Sequence, residues 1–130
     1  MSTEQQREVQ YFTTDSMKDF PFSEAVRVGN MLYLSGQIGI DSTIKLVPGG
    51  ILAETQKAME NIKGTLERCG SSLDHVIKVT VMLADISEWA AMNDVYVKFF
   101  AKNKPARSAL GANGLAMGAR VEIECTAVLR

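Results

Sequence analysis

In "RVEIECTAVLR", Val121, Ile123, Cys125, Ala127 and Leu129 fall on every second position, with Glu122, Glu124 and Thr126 between them. That period separates apolar from polar side chains only in a β-strand, whose successive side chains point to opposite faces. "HVIKVTVMLAD" has the same period, with Ile77, Val79, Val81 and Leu83 on one side and Lys78 and Thr80 on the other. Just before it, "ILAETQKAMENIKGTLERCG" changes step. Leu52, Gln56, Met59, Ile62, Leu66 and Cys69 recur every three or four residues, which predicts an amphipathic helix stopped by Gly70. A chain that switches period in this way is committed to a sheet with helices laid on it.

Upstream, "AVRVGNMLYLSGQIGI" holds two β-rich runs joined by Gly29-Asn30, residues that tolerate positive φ, and this predicts a tight hairpin. "DSTIKLVPGG" reads as loop. A second helix is expected from Asp85, with Glu88 three residues on as a capping box. Its apolar stripe is Trp89, Met92, Tyr96 and Phe99, followed by Phe100, and at helical spacing these read as core, not as a cofactor box. Pro105 then turns the chain. The predicted order is β-β-α-β-α-β, an α+β class. One domain over residues 1–130 carries a single mixed sheet with two helices on one face, and residues 1–20 are an N-terminal arm or edge strand. The uncovered face mixes polar and apolar side chains, so a homo-oligomer is expected.

Several function classes fall away on composition. A length of 130 residues supports one core. With a formal net charge of −1 and no Lys/Arg stripe, no nucleic-acid partner is expected. "MSTEQQREVQYFTT" has no apolar signal core, and no apolar run approaches the roughly 20 residues that span a bilayer. A cytoplasmic protein without a membrane partner is therefore expected. Cys69 and Cys125 are far apart and read as reduced core thiols. His75 is the single histidine and has no catalytic or metal partner at a recognisable spacing, so it reads as structural or surface and no metal is expected. Without GxGxxG, a Walker loop or GxSxG, the expectation is chemistry without a cofactor.

Three places could carry that chemistry. Arg107, in "KPARSALGANGLAMGAR", is either a solvated arginine or a carboxylate clamp, since the planar guanidinium offers a bidentate fork. Pro105 stiffens its approach, and Ser108, Ala109, Gly111 and Ala112 leave room for a ligand. Glu122 is either the solvent-facing residue of an alternating strand or a general base, provided the loop from 107 to 120 folds back beside its own strand. Glu124 has the same claim to be solvent-facing. In "YLSGQIG", Ser35 and Gly36 are either a strand-end turn or a hydroxyl and an exposed amide at a pocket mouth.

Taken in order, "PFSEAV", "LYLSGQIGID", "VIKVTVMLADISEWAAMNDVYVKFF", "PARS" and "VEIECTAV" make the chain resemble the RidA family, also called YjgF/YER057c/UK114, from about Pro21 to Arg130. The resemblance implies a chorismate-mutase-like fold, a homotrimer with clefts between subunits, and cofactor-free hydrolysis of 2-imino acids and their enamine tautomers to 2-keto acids and ammonia. It places the family's carboxylate-binding arginine on Arg107, its last-strand glutamate on Glu122 and its serine before Gly-Gln on Ser35, with Gly36 beside it. Substrate contacts are implied at Gly36, Phe22, Ser108 and Ala109. The chain departs from the family pattern at Phe22, where tyrosine is common, at Ala109, where cysteine is common, and at Leu115-Ala116 in place of Leu-Pro. The altered Phe22 keeps open an alternative, a non-catalytic protein that binds or senses small carboxylates on the same scaffold.

Overall fold

The computed structural model describes residues 8–130. Strands β1 (Val9–Phe12), β2 (Ala25–Val28) and β3 (Met31–Gln37) precede helix α1 (Gly50–Arg68). Strand β4 (Val76–Leu83), helix α2 (Trp89–Tyr96), strand β5 (Ala106–Gly111) and strand β6 (Val121–Val128) follow. All six strands form one sheet in the order β1-β2-β3-β6-β4-β5. Only β4 and β5 run parallel, and every other neighbouring pair is antiparallel.

The alternation along β6 becomes burial. Val121, Ile123, Cys125 and Ala127 are buried under the helices, while Glu122, Glu124 and Thr126 face the uncovered side. Each of the four buried residues contributes transfer energy on the order of 25 cal/mol per Å² of apolar surface removed from water. Leu32, Leu34, Val79, Val81 and Leu83 from the sheet meet Met59, Ile62, Leu66, Met92 and Phe100 in the same core. Tyr33 and Ile77 stand exposed on or beside the open face. The Gly29-Asn30 turn is as expected: Val28 pairs with Met31, and Gly29 has φ 59°.

Three expectations are corrected, and one alternative, arm or edge strand, is decided. Residues 106–111, expected as part of a loop, form the parallel edge strand β5, where the ladder to β4 stands in for the β propensity that Ala and Gly lack. Residues 9–12 form the other edge strand, while residues 1–7 lie outside the described residues. In β4, Ile77 is an extra residue in the ladder between Val76–Ala127 and Lys78–Thr126. This bulge puts Val76 in the core and Ile77 outside, so the expected alternation fails at that end. On α1 the buried stripe is Thr55, Ala58, Met59, Ile62, Thr65 and Leu66, with Glu54, while Leu52 and Gln56 are exposed.

The α2 entry also differs. Asp85 caps a short 3-10 turn, Ile86–Glu88, by accepting from the Ser87 amide at 2.9 Å. Glu88 does not close a capping box. Its Oε1 instead accepts from Arg120 Nε at 2.7 Å. Arg120 is further fixed because its amide donates to the buried Glu54 carboxylate at 2.9 Å, pinning the start of β6 onto α1.

Candidate active site

Arg107 leaves β5 on the helix side of the sheet. Its parallel partner is Val79, a core residue, and its Nη1 donates to Asn93 Oδ1 at 2.6 Å. The guanidinium carbon lies 4.8 Å from the Tyr96 ring centroid and 5.6 Å from that of Trp89. Cation–π attraction at such distances is worth about 0.5–2 kcal/mol, so three side chains of α2 fix the plane of the fork. A pocket of about 470 Å³, lined by Asn93, Tyr96, Phe100, Lys104, Pro105 and Arg107 among others, opens beside it. Burial pushes the Tyr96 hydroxyl up to about 12 despite the nearby Arg107, and its oxygen has no hydrogen-bond partner. Tyr96 is core as expected, but Trp89 is exposed and belongs to the arginine's surroundings.

Glu122 leaves β6 on the opposite, uncovered face. Its register partner is Met82 on β4, and β4 lies between β6 and β5. Two inter-strand spacings, about 10 Å, therefore separate the backbones that carry Arg107 and Glu122, and the side chains diverge. The expectation that the 107–120 loop folds back beside its own strand is overturned: one chain does not bring these two residues together.

The structure does bring Glu122 to Gly36, whose chain neighbour is Ser35. β3 pairs with β6 through Leu34–Cys125 and then Gln37–Ile123, so Ser35 and Gly36 both oppose Glu124 in a β-bulge. A Cβ at Gly36 would collide with the Glu122 carboxylate, so glycine is what lets the carboxyl lie against the backbone there. Burial, and secondarily the Glu124 charge, raise the Glu122 carboxyl above the usual carboxylate range. A carboxyl shifted in that direction is suited to taking a proton near neutral pH.

Ser35 is tied down on both sides. Its amide donates to Glu24 O at 3.0 Å, and its hydroxyl proton goes to Ser23 O. With its proton committed to Ser23 O, the hydroxyl has lone pairs to offer a water. Phe22, one residue before Ser23, is exposed, with its ring centroid 5.6 Å from that of Phe20. Ser108 points to the open face and meets Lys78 Nζ at 3.4 Å, whereas Ala109 packs against the core. His75 is held by Ser72 through Nδ1 at 2.7 Å, a structural role as expected. Cys69 and Cys125 are free and buried. Among the described residues no three His, Cys, Asp or Glu side chains gather as a metal-ligand set.

The candidate site thus exists as two halves on opposite faces: Arg107 with Asn93, Tyr96 and Trp89, and Glu122 with Gly36 and Ser35. Asn93 is a site residue that its sequence surroundings do not mark. Its only sequence signal is its position four residues after Trp89 and three before Tyr96, the same helical face as two aromatic rings.

Comparison with known proteins gives the halves a context. The chain matches the family described as Endoribonuclease L-PSP over residues 13–129. It is 45% identical over 109 residues to the 2-iminobutanoate/2-iminopropanoate deaminase of Capra hircus, covering 83% of this chain and 80% of that protein. Among solved structures, a yeast protein superposes with TM-score 0.90 at 38% identity, covering 95% of this chain and all (100%) of that one. RidA from the Antarctic bacterium Psychrobacter does so with TM-score 0.86 at 38% identity, covering 92% and 99%.

Proposed function

This chain belongs to the Endoribonuclease L-PSP family, and from that premise we propose that it hydrolyses 2-imino acids to 2-keto acids and ammonia. The observation that carries the reading is the aimed guanidinium of Arg107, held by Asn93 beside an open pocket. A planar fork of that kind grips a carboxylate bidentately, which a lysine cannot do. Four curated relatives at 41–45% identity bear the deaminase name, in agreement with this chemistry.

The two halves are completed between subunits of a homotrimer, Arg107 and Asn93 from one copy facing Gly36, Ser35 and Glu122 of its neighbour. Arg107 binds the substrate carboxylate and so fixes the C=N carbon near one water. Glu122 takes a proton from that water as its oxygen bonds to the carbon of the protonated imine, whose C=N π pair passes to nitrogen, and Ser35 offers lone pairs that orient the water. The carbinolamine then collapses: Glu122 returns the proton to nitrogen, the C–N bond breaks, ammonia leaves, and the hydroxyl gives its proton back to Glu122 as the carbonyl of the keto acid forms. The catalytic residues are Arg107, Glu122 and Ser35; Gly36, Phe22, Ser108 and Ala109 shape the substrate's surroundings, with neither metal nor cofactor required. The net charge of −1 disfavours an RNA phosphate backbone as the substrate.

Two assays test the reading. With 2-iminobutyrate generated in situ by an amino-acid oxidase, the native protein should suppress semicarbazide trapping and Arg107→Ala should not. Intact turnover by the variant would sink the assignment, and binding of a keto acid without turnover would leave a carboxylate-binding protein in its place. The shared site is tested by co-refolding Arg107→Ala with Glu122→Gln chains. Mixed assemblies regain activity if each site draws on two subunits, and stay inactive if one chain supplies both residues.

A further inference from the structure

Glu122 stands one residue beyond the last rung between β3 and β6, the pair Gln37–Ile123. Its contact with Gly36 therefore lies where the β3–β6 ladder has ended. β4 fixes the Glu122 backbone through Met82, but β4 does not neighbour β3. The element that touches both strand ends is helix α1.

On the β6 side the tie is Glu54. This residue is only 5% exposed, and its Oε1 accepts from the Arg120 amide at 2.9 Å, two residues before Glu122. A carboxylate that accepts from a backbone amide makes one of the stronger hydrogen bonds, and losing a buried partner leaves the amide unsatisfied. On the β3 side the tie is Asn61. Its Nδ2 donates to Ile38 O at 3.2 Å and to Ile40 O at 3.0 Å, straddling Gly39. Gly39 lies flush with the helix, since a Cβ there would come within 2.8 Å of Glu54 Cα. Glu54 and Asn61 are seven residues apart, about two turns, and so share one face of α1. That face grips the chain three residues after Gly36 and two residues before Glu122.

We propose that Glu54 and Asn61 are positioning residues for the hydrolysis, holding Gly36 and Glu122 at the separation that lets the carboxyl rest against the backbone. The inference rests on the deaminase reading, in which Glu122 is the base. Glycine at position 36 makes room for the carboxyl, and the two α1 side chains keep that room from changing. Arg107 is carried by β5 and aimed by α2, so the pair acts on the proton-transfer half of the site and not on the carboxylate clamp.

The test is steady-state kinetics on Glu54→Ala, Glu54→Gln and Asn61→Ala, with circular dichroism confirming the fold. Glu54→Ala and Asn61→Ala should each lose kcat about tenfold, a fraction of the roughly 100-fold cost of a 1 Å misplacement, with KM little changed. Glu54→Gln keeps an acceptor oxygen for the Arg120 amide and should restore most of kcat. Asn61 is half-buried, so its variant keeps the test open if Glu54→Ala folds poorly. In a Gly36→Ala background, where the carboxyl is already displaced, Asn61→Ala should add less than about twofold. Native kcat in Asn61→Ala, a rise in KM as large as the fall in kcat, or full additivity with Gly36→Ala would each overturn the proposal. If the native protein hydrolyses no imine, the deaminase reading falls and amide NMR decides the positioning. The Gly36 and Glu122 resonances should then shift in Asn61→Ala and hold in Glu54→Gln, and unmoved resonances in Asn61→Ala would overturn it.

Discussion

The Glu122 carboxylate lies against the backbone of Gly36, in space that a single methyl group would fill. Gly36→Ala must therefore displace the carboxyl, since backbone on the bulged strand cannot yield as a flexible side chain would. The fold should survive, because Gly36 sits at an irregularity already present in the ladder. We expect kcat to fall about 100-fold, the scale of a roughly 1 Å misplacement, with KM little changed. Steady-state kinetics with circular dichroism as a folding control check this; unaltered kcat would mean that the carboxyl's position does not matter.

Arg107 depends on α2 for its aim. Asn93→Ala removes the acceptor at 2.6 Å and leaves the guanidinium resting on Tyr96 and Trp89 alone. The charge stays but the fork can swing, so KM should rise severalfold while the acidic limb of the pH profile stays in place. Arg107→Lys should do worse, because the ammonium replaces two parallel donors with a point charge. Measured KM for the two variants ranks them; an Asn93→Ala enzyme with native KM would assign the hydrogen bond to packing alone.

The raised Glu122 carboxyl sets the sign of two pH effects. As a base it works deprotonated, so activity should fall as pH drops through its folded pKa. Burial is the larger cause and Glu124 the smaller, and Glu124→Gln should move that acidic limb to lower pH. For stability the sign is the reverse of the usual carboxylate. A carboxyl with a folded pKa above its unfolded one favours the fold at pH below the unfolded value, and that contribution is lost as pH rises through the folded value. Glu122→Gln should thus match or exceed native Tm at pH 7 while abolishing activity, and should gain no Tm at pH 4. Thermal melts at the two pH values decide it.

The thiols offer a test of the core. Burial pushes Cys125 up to about 12 and raises Cys69 too, though Arg68 partly opposes it there. The thiolate is the reactive form, so both should react slowly with a disulfide reagent at pH 8 in the native protein and both quickly after denaturation. Fast labelling of Cys125 in the native state would contradict its place under α1.

The elements whose period is unbroken are legible in the sequence. The alternation of β6, the Gly29-Asn30 turn and the span of α1 follow from local side-chain chemistry, so they can be read without knowing the tertiary structure. Ile77 was misplaced because a bulge shifts phase by one residue, and no residue type announces it. β5 was missed because Ala106 to Gly111 gain their strand from β4, a partner more than twenty residues earlier in the chain. That miss carried into the site, where a loop beside its own strand would have joined Arg107 to Glu122. Gly36 and Glu122 were each singled out, yet their contact across the bulge could be known only from the pairing register. Asn93 stayed hidden because an asparagine on a helix carries no sign of what it orients.

The position of β6 in the sheet has a bearing on how this protein is made. Among the described residues β6 follows every other strand, yet it lies between β3 and β4, and no other described strand joins those two. As the chain leaves the ribosome, β1–β3 can form a hairpin-built ribbon, and β4, α2 and β5 a parallel unit. Each exposes an open edge with which β6 will later pair. Until residues 121–128 emerge the two parts have no ladder between them, so the nascent protein is most vulnerable to misassembly just before its final strand appears.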